Sequence, residues 1–184
     1  IAINLKGDDE VVSATLAADG DEILLVSKKA MSVRFVCDDE SLRSMGRSTS
    51  GVIGMKFRAG DELLTMSRVD ASTSVGAFVF TATDGGYGKK TPIDEYRLQG
   101  RGGIGIKAAK IDEESRGTLV SALVLVDSDE ILAITSAGTV MRTPAAEVRQ
   151  TGRDSMGVRL VNLDEGATLL SVTRNSEDEI STQK

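Results

Sequence analysis

A chain of 184 residues with 22 Lys plus Arg, 28 Asp plus Glu and no histidine carries a formal charge of −6, with 40% hydrophobic and 3% aromatic residues. These values suit one soluble globular domain. No apolar run approaches the roughly 18 residues of a membrane span, and no charged-then-apolar segment opens the chain, so a membrane protein and a secretory signal are both disfavoured. A reducing, cytoplasmic setting is the default expectation. Cys37 is the one cysteine, which excludes an internal disulfide. Without histidine, a zinc site or a histidine-based catalytic relay lacks its ligands or its base.

In chain order, residues 1–5 read as the tail of a strand that begins upstream, as in a piece of something longer. The 19 glycines break up almost every stretch that could carry a long helical period, so strands are favoured throughout. A first unit holds a leading strand over 10–16, the apolar run 23–26, a strand around Arg34, and a closing strand over 52–57 after Gly46-Arg47 and Gly51. The second unit repeats the pattern with 62–68, 77–80, a strand around Lys90, then Gly100-Arg101 with Gly105, and 106–111. In the third unit the corresponding pieces are 119–125, 131–134, a strand around Arg142, Gly152-Arg153 with Gly157, and 158–163. Residues 167–173 begin a further leading strand, and 174–184 read as a polar tail.

The spacing makes this a true internal repeat. A small hydroxyl residue precedes a basic one by seven positions in each unit, Ser27 to Arg34, Thr83 to Lys90 and Thr135 to Arg142, and the copies lie 56 and 52 residues apart. The Gly-Arg motifs lie 54 and 52 apart. Thr91-Pro92 and Thr143-Pro144 each precede the Gly-Arg pair by nine residues, and the first unit lacks them. Four short strands over about 50 residues are the signature of a propeller blade. The expectation is therefore all-β, with four-stranded antiparallel blades at 7–57, 59–111 and 116–163, the end of a preceding blade at 1–5 and the start of another at 164–173. Three blades do not close a ring, since propellers usually have about four to eight.

The loop Gln99-Gly100-Arg101-Gly102-Gly103-Ile104-Gly105 is similar to the Gln-Arg-Arg-Gly-Gly-x-Gly box of the C-terminal DNA-wrapping domain of the bacterial DNA gyrase A subunit, departing at Gly100. Gly85-Gly86-Tyr87-Gly88-Lys89-Lys90-Thr91, Glu95-Tyr96 and Gly157-Val158-Arg159 extend the resemblance over nearly the whole chain. The resemblance implies a six-bladed β-pinwheel whose blades exchange strands and whose basic rim bends duplex DNA. It also implies that the present chain is the later half, with the principal box outside it. In the parent type II topoisomerase, wrapping would present a second DNA segment with fixed handedness and so support negative supercoiling. The implied partners are double-stranded DNA, the B subunit and the rest of the A subunit in an A2B2 enzyme. Bacterial cytoplasm, in association with the nucleoid, is the implied location. The cleaving tyrosine, ATP and Mg2+ would all lie outside this chain, which leaves it no catalytic residue, no metal and no cofactor. Tyr87 and Tyr96 match blade positions.

Binding to DNA must reconcile a charge of −6 with the need to neutralise phosphates. Distribution resolves it. Residues 43–58 hold four basic side chains and no acidic one, and residues 89–110 hold six against Asp94 and Glu95, while acids collect in separate turns. Equivalent positions of successive blades occupy equivalent places, so Arg34, Lys90 and Arg142 form one expected set of phosphate contacts. Arg47, Lys56, Lys89, Arg101, Lys107 and Arg153 complete the expected outer edge. Glycines in the box-like loop would let backbone N–H groups approach phosphate oxygens while Arg101 pairs with them. The competing structural reading is that Gly102, Gly103 and Gly105 only make a tight connection. Asp112-Glu113-Glu114 reads as a solvated turn and Cys37 as an ordinary residue. The alternative function is a protein-interaction platform that uses its acidic turns, and a propeller enzyme ranks last for want of convergent carboxylates.

Overall fold

The computed structural model describes residues 3–72 and 74–175. Eleven strands and two one-turn α-helices occur among them, with 3-10 turns at Ile93–Glu95 and Ala145–Glu147: β1 (Glu22–Ser27), β2 (Met31–Val36), α1 (Asp39–Leu42), β3 (Leu63–Val69), β4 (Phe78–Thr83), β5 (Tyr87–Pro92), β6 (Ile106–Lys107), α2 (Glu113–Arg116), β7 (Leu119–Leu125), β8 (Glu130–Thr135), β9 (Val140–Pro144), β10 (Val158–Arg159) and β11 (Leu169–Arg174). They form sheets in the orders β3-β1-β2-β6, β10-β5-β4-β7 and β11-β8-β9. Every pairing between strands is antiparallel.

No sheet coincides with one sequence unit, which corrects the blade boundaries 7–57, 59–111 and 116–163. The hairpin of each unit recruits the leading and closing strands of the next: β1 and β2 pair with β3 and β6, and β4 and β5 pair with β7 and β10. The leading strand expected at 10–16 is not formed. Of the segment 1–5, residues 1 and 2 lie outside the described residues and 3–5 form no strand; 176–184, most of the expected tail, also lie outside.

The apolar runs are continuous because the hairpin strands are covered on both faces. On β1, Leu24 and Val26 enter a core shared with Val79 and Leu119 of the second sheet and with Ile93 and Tyr96 of the turn after β5, while Ile23 and Leu25 join Val33, Phe35 and Met55 on the other side. On β4, Val79 faces the first sheet, and Phe80 and Ala82 meet Ile131, Ala133, Leu169 and Val172 of the third. In β8, Ile131 and Ala133 are buried and Leu132 and Ile134 only half-buried, the alternation expected where one face has no further sheet among the described residues.

β3 packs against β7 and β7 against β11. These three strands therefore form the inner edges of successive sheets, and β6 and β10 lie at the opposite, outer edges. The closing strands are shorter than expected, two residues in β6 and β10 and a single bridge at Met55, and in the first two units the chain there also bonds to loops of the next unit. Lys56 N donates to Gly103 O at 2.8 Å, and its repeat equivalent Lys110 N donates to Ser155 O at 3.2 Å.

Candidate nucleic-acid interface

The box-like loop sits in the seam between the first and second sheets. Gln99 N donates to Arg34 O at 2.9 Å and Gly102 N to Gly54 O at 2.6 Å. Arg101 is half-buried, with Nε donating to Ser41 O at 2.5 Å and Nη1 to Ile53 O at 3.2 Å. Gly105 has φ +83°, and a Cβ there would stand 2.0 Å from Ser32 O. The next seam repeats the design. Thr151 N donates to Lys90 O at 3.0 Å, Arg153 Nη1 to Lys107 O at 2.7 Å, and Gly157, with φ +76°, leaves 2.6 Å between its would-be Cβ and Gly88 O. In both seams the loop works as a clip between sheets.

Three of the residues expected on the outer edge are buried, and their placement is corrected. Arg34 is 7% exposed; its Nε donates to Glu22 Oε2 at 2.6 Å, and Nη1 donates to Ile93 O at 2.8 Å and Tyr96 O at 2.9 Å. Lys90 is 6% exposed; its ammonium pairs with Asp127, donates to Ala145 O at 3.0 Å, and stands 4.8 Å from the Phe78 ring centroid. Lys89 is 1% exposed and donates to Gly152 O at 2.9 Å and Arg153 O at 2.6 Å. The cause is shared. The turns that follow Thr91-Pro92, Thr143-Pro144 and Gln150-Thr151 bring backbone carbonyls against the preceding hairpin, and each has lone pairs left for a side-chain donor. The third member of the set, Arg142, is exposed and bonds Glu130 Oε2 through Nε at 2.7 Å.

Burial pushes the Lys89 ammonium down to about 8, with Arg153 adding to the fall and Glu95 and Asp154 opposing it. The folded value lies below the unfolded one, so between about pH 8 and 10.5 only the unfolded chain holds this proton, and folding gains stability as pH rises through that window. Urea midpoints at pH 7.5 and 9.5 are expected to show this gain in the wild type relative to Lys89→Met, which lacks the titrating group. Equal pH dependence in both proteins would contradict it.

The remaining expected residues are accessible. Arg47, Lys56 and Lys107 are exposed, as are Arg43, Arg58, Arg97 and Lys110, and Arg153 is half-buried. Sequence reading passes over Arg159 as a contact; it is exposed on β10, 52 residues after Lys107 on β6, and that spacing is the signal that marks it. Asp112 caps α2 through Ser115 N at 3.3 Å, and no group of acids, cysteine or histidine suited to a metal occurs among the described residues. Burial, then the carboxylates of Asp21, Asp19 and Asp38, push the Cys37 thiol up, the opposite of nucleophile activation.

Strand-exchanging four-stranded sheets joined by glycine-arginine clips define a β-pinwheel. The family model described as the DNA gyrase C-terminal domain, beta-propeller, matches residues 1–18, 21–70, 77–125 and 129–176, and the chain belongs to that family. The chain is 58% identical over 182 residues to the DNA gyrase A subunit of Streptomyces coelicolor and 49% identical over 178 residues to that of Mycobacterium tuberculosis. These matches take in 96% and 97% of the chain and 21% of each relative, so the chain spans about a fifth of the length of the curated relatives it matches. A solved gyrase A C-terminal domain superposes with a TM-score of 0.83 at 28% identity, over 94% of this chain and 57% of the other. The C-terminal domain of a DNA topoisomerase IV gives 0.84 at 25% identity, over 94% and 52%.

Proposed function

We propose that this chain binds duplex DNA without sequence preference and bends it along the outer edge of the pinwheel, as part of a gyrase A subunit whose negative supercoiling depends on that wrapping. The observation that carries the reading is the recurrence of exposed cations on the outer closing segments. Lys56 and Lys110 occupy one repeat position in the closing segments, and Lys107 and Arg159 another, on the outer strands β6 and β10. Bending a short duplex costs on the order of 1 to 6 kcal/mol, and a curved row of phosphate contacts offsets it. Nothing in this arrangement enters a groove, so backbone contact and deformability would govern recognition. Arg101 and Arg153 add positive potential beside the row while clipping the sheets. A six-bladed ring, the A2B2 partnership, a cytoplasmic, nucleoid-associated location, and ATP and Mg2+ held outside this chain belong to the same reading.

The test is ligation of a nicked circular plasmid with the full-length protein bound. Wrapping fixes a linking-number change of one sign, whereas binding without wrapping, or a platform for protein partners, leaves the linking number unaltered. Lys56→Ala and Lys107→Ala should each reduce the slope of log affinity against log salt by roughly 0.9, equally for unrelated duplexes.

A further inference from the structure

Two guanidinium groups converge on one aromatic ring where the β4–β5 hairpin, α2 and β10 meet. The carbons at the centres of the Arg116 and Arg159 guanidiniums stand 4.6 Å and 4.9 Å from the centroid of the Tyr87 ring. Arg159 Nη2 donates to the Tyr87 hydroxyl at 2.7 Å, so that oxygen acts as acceptor and its own proton remains available for donation. Arg116 Nη1 donates to Gly157 O at 2.7 Å. Among the described residues no carboxylate lies within ion-pair distance of either guanidinium. Asp112 senses Arg116 electrostatically, but its carboxylate caps Ser115.

The backbone beneath the cluster is fixed. Thr83 Oγ1 donates to Arg116 O at 2.5 Å, and a Cβ on Gly85 would stand 2.3 Å from that same oxygen. Tyr87 pairs with Arg159 across β5 and β10. The first sheet serves as an internal comparison: its corresponding cross-strand pair is Met31 and Lys107, and Lys107 has Asp154 at 3.7 Å. The second sheet thus concentrates two cations with no ion pair among the described residues, where the first holds one cation with an acid at 3.7 Å.

Like charges held against one ring repel each other, and the ring's negative face offsets only part of that repulsion. An anion with several acceptor oxygens resolves the remainder, taking N–H groups from both arginines and the tyrosine hydroxyl proton. We propose that Arg116, Tyr87 and Arg159 form a preorganised clamp for a phosphodiester of the bound duplex. The inference rests on the wrapping reading, and it assigns the strongest single anchor of the outer edge to the second sheet, outside the box-like loop.

The experiment measures duplex affinity against salt for the full-length protein and three variants, with unfolding curves confirming that each is folded. Arg159→Ala, at an exposed position, and Arg116→Ala are expected to reduce the slope by roughly 0.9 each. Tyr87→Met, which installs the residue of the first sheet, keeps every charge; it should weaken binding roughly fivefold with the slope unchanged. Wild-type affinity and slope in Arg159→Ala and Tyr87→Met, with the parent protein still binding steeply, would overturn the clamp and leave wrapping intact. Absence of salt-dependent binding by the parent protein would overturn the wrapping reading and the clamp with it. Inorganic phosphate is added as competitor at constant ionic strength. Displacement of duplex by millimolar phosphate from the wild type but not from Tyr87→Met would assign the site to free phosphate and overturn the duplex assignment.

Discussion

Gly105→Ala is expected to destabilise the domain by about 3 to 5 kcal/mol, read as a fall in the urea midpoint. An alanine at φ +83° costs about 1 to 2 kcal/mol in backbone energy alone. The added Cβ would also stand 2.0 Å from the Ser32 carbonyl oxygen and 2.9 Å from Val33 Cγ2. Neither neighbour gives way easily. Ser32 pairs with Ile106 in the ladder and Val33 is wholly buried, so relief requires β2 to part from the loop. Gly100→Ala in the same loop is the control, because nothing lies within 4 Å of its would-be Cβ and its φ is not positive. It should stay within about 0.5 kcal/mol of wild type. Equal effects at the two positions would mean that the loop is no clip.

The same glycine shows what the sequence could and could not reveal about the site. A run of glycines around one arginine has two readings, a cradle for phosphate or a tight connection, and spacing alone does not separate them. What separates them is the neighbour, Ser32, which lies 73 residues earlier in the chain. The hairpin strands were legible because coverage on both faces writes an uninterrupted apolar run into 23–26 and 77–80, and 131–134 repeats that run although only one of its faces is covered among the described residues. The closing strands were less legible, since their ladders are only two residues long in β6 and β10 and a single bridge at Met55, too short to write an alternation. Strand exchange hid the blade boundaries, because the hairpin strands and β3, β7, β6 and β10 stood at their expected spacing and only their partners differed. Lys89 and Lys90 misled for a related reason. A repeated basic residue signals a repeated need, and here that need is set by carbonyls of the following unit. A signal for the inward placement of Arg34 was nonetheless available: it stands in Ser32-Val33-Arg34-Phe35-Val36, flanked by apolar residues on both sides.

That need can be measured at Arg34. Its side chain is 8% exposed and that of Glu22 13%, and it joins β1 and β2 of the first sheet to the Ile93 and Tyr96 carbonyls of the second unit. Arg34→Ala strands the Glu22 carboxylate in a nearly dry site and takes a donor from both carbonyls, leaving Ile93 O with Tyr96 N alone. Removing one partner of such a pair costs about 3 to 5 kcal/mol, far more than the pair itself contributes over an apolar substitute. The companion Arg142→Ala removes the repeat-equivalent side chain, 58% exposed, from its pair with Glu130 in the third sheet. Solvent already screens that pair, and the urea midpoint should remain near wild type. The contrast also separates the two readings of the repeated basic position. If Arg34 stood on a DNA-contacting edge, Arg34→Ala would weaken duplex binding and leave the midpoint alone. As a seam residue it should lower the midpoint, while duplex binding measured well below the unfolding transition keeps its wild-type salt slope, because no phosphate contact has been lost.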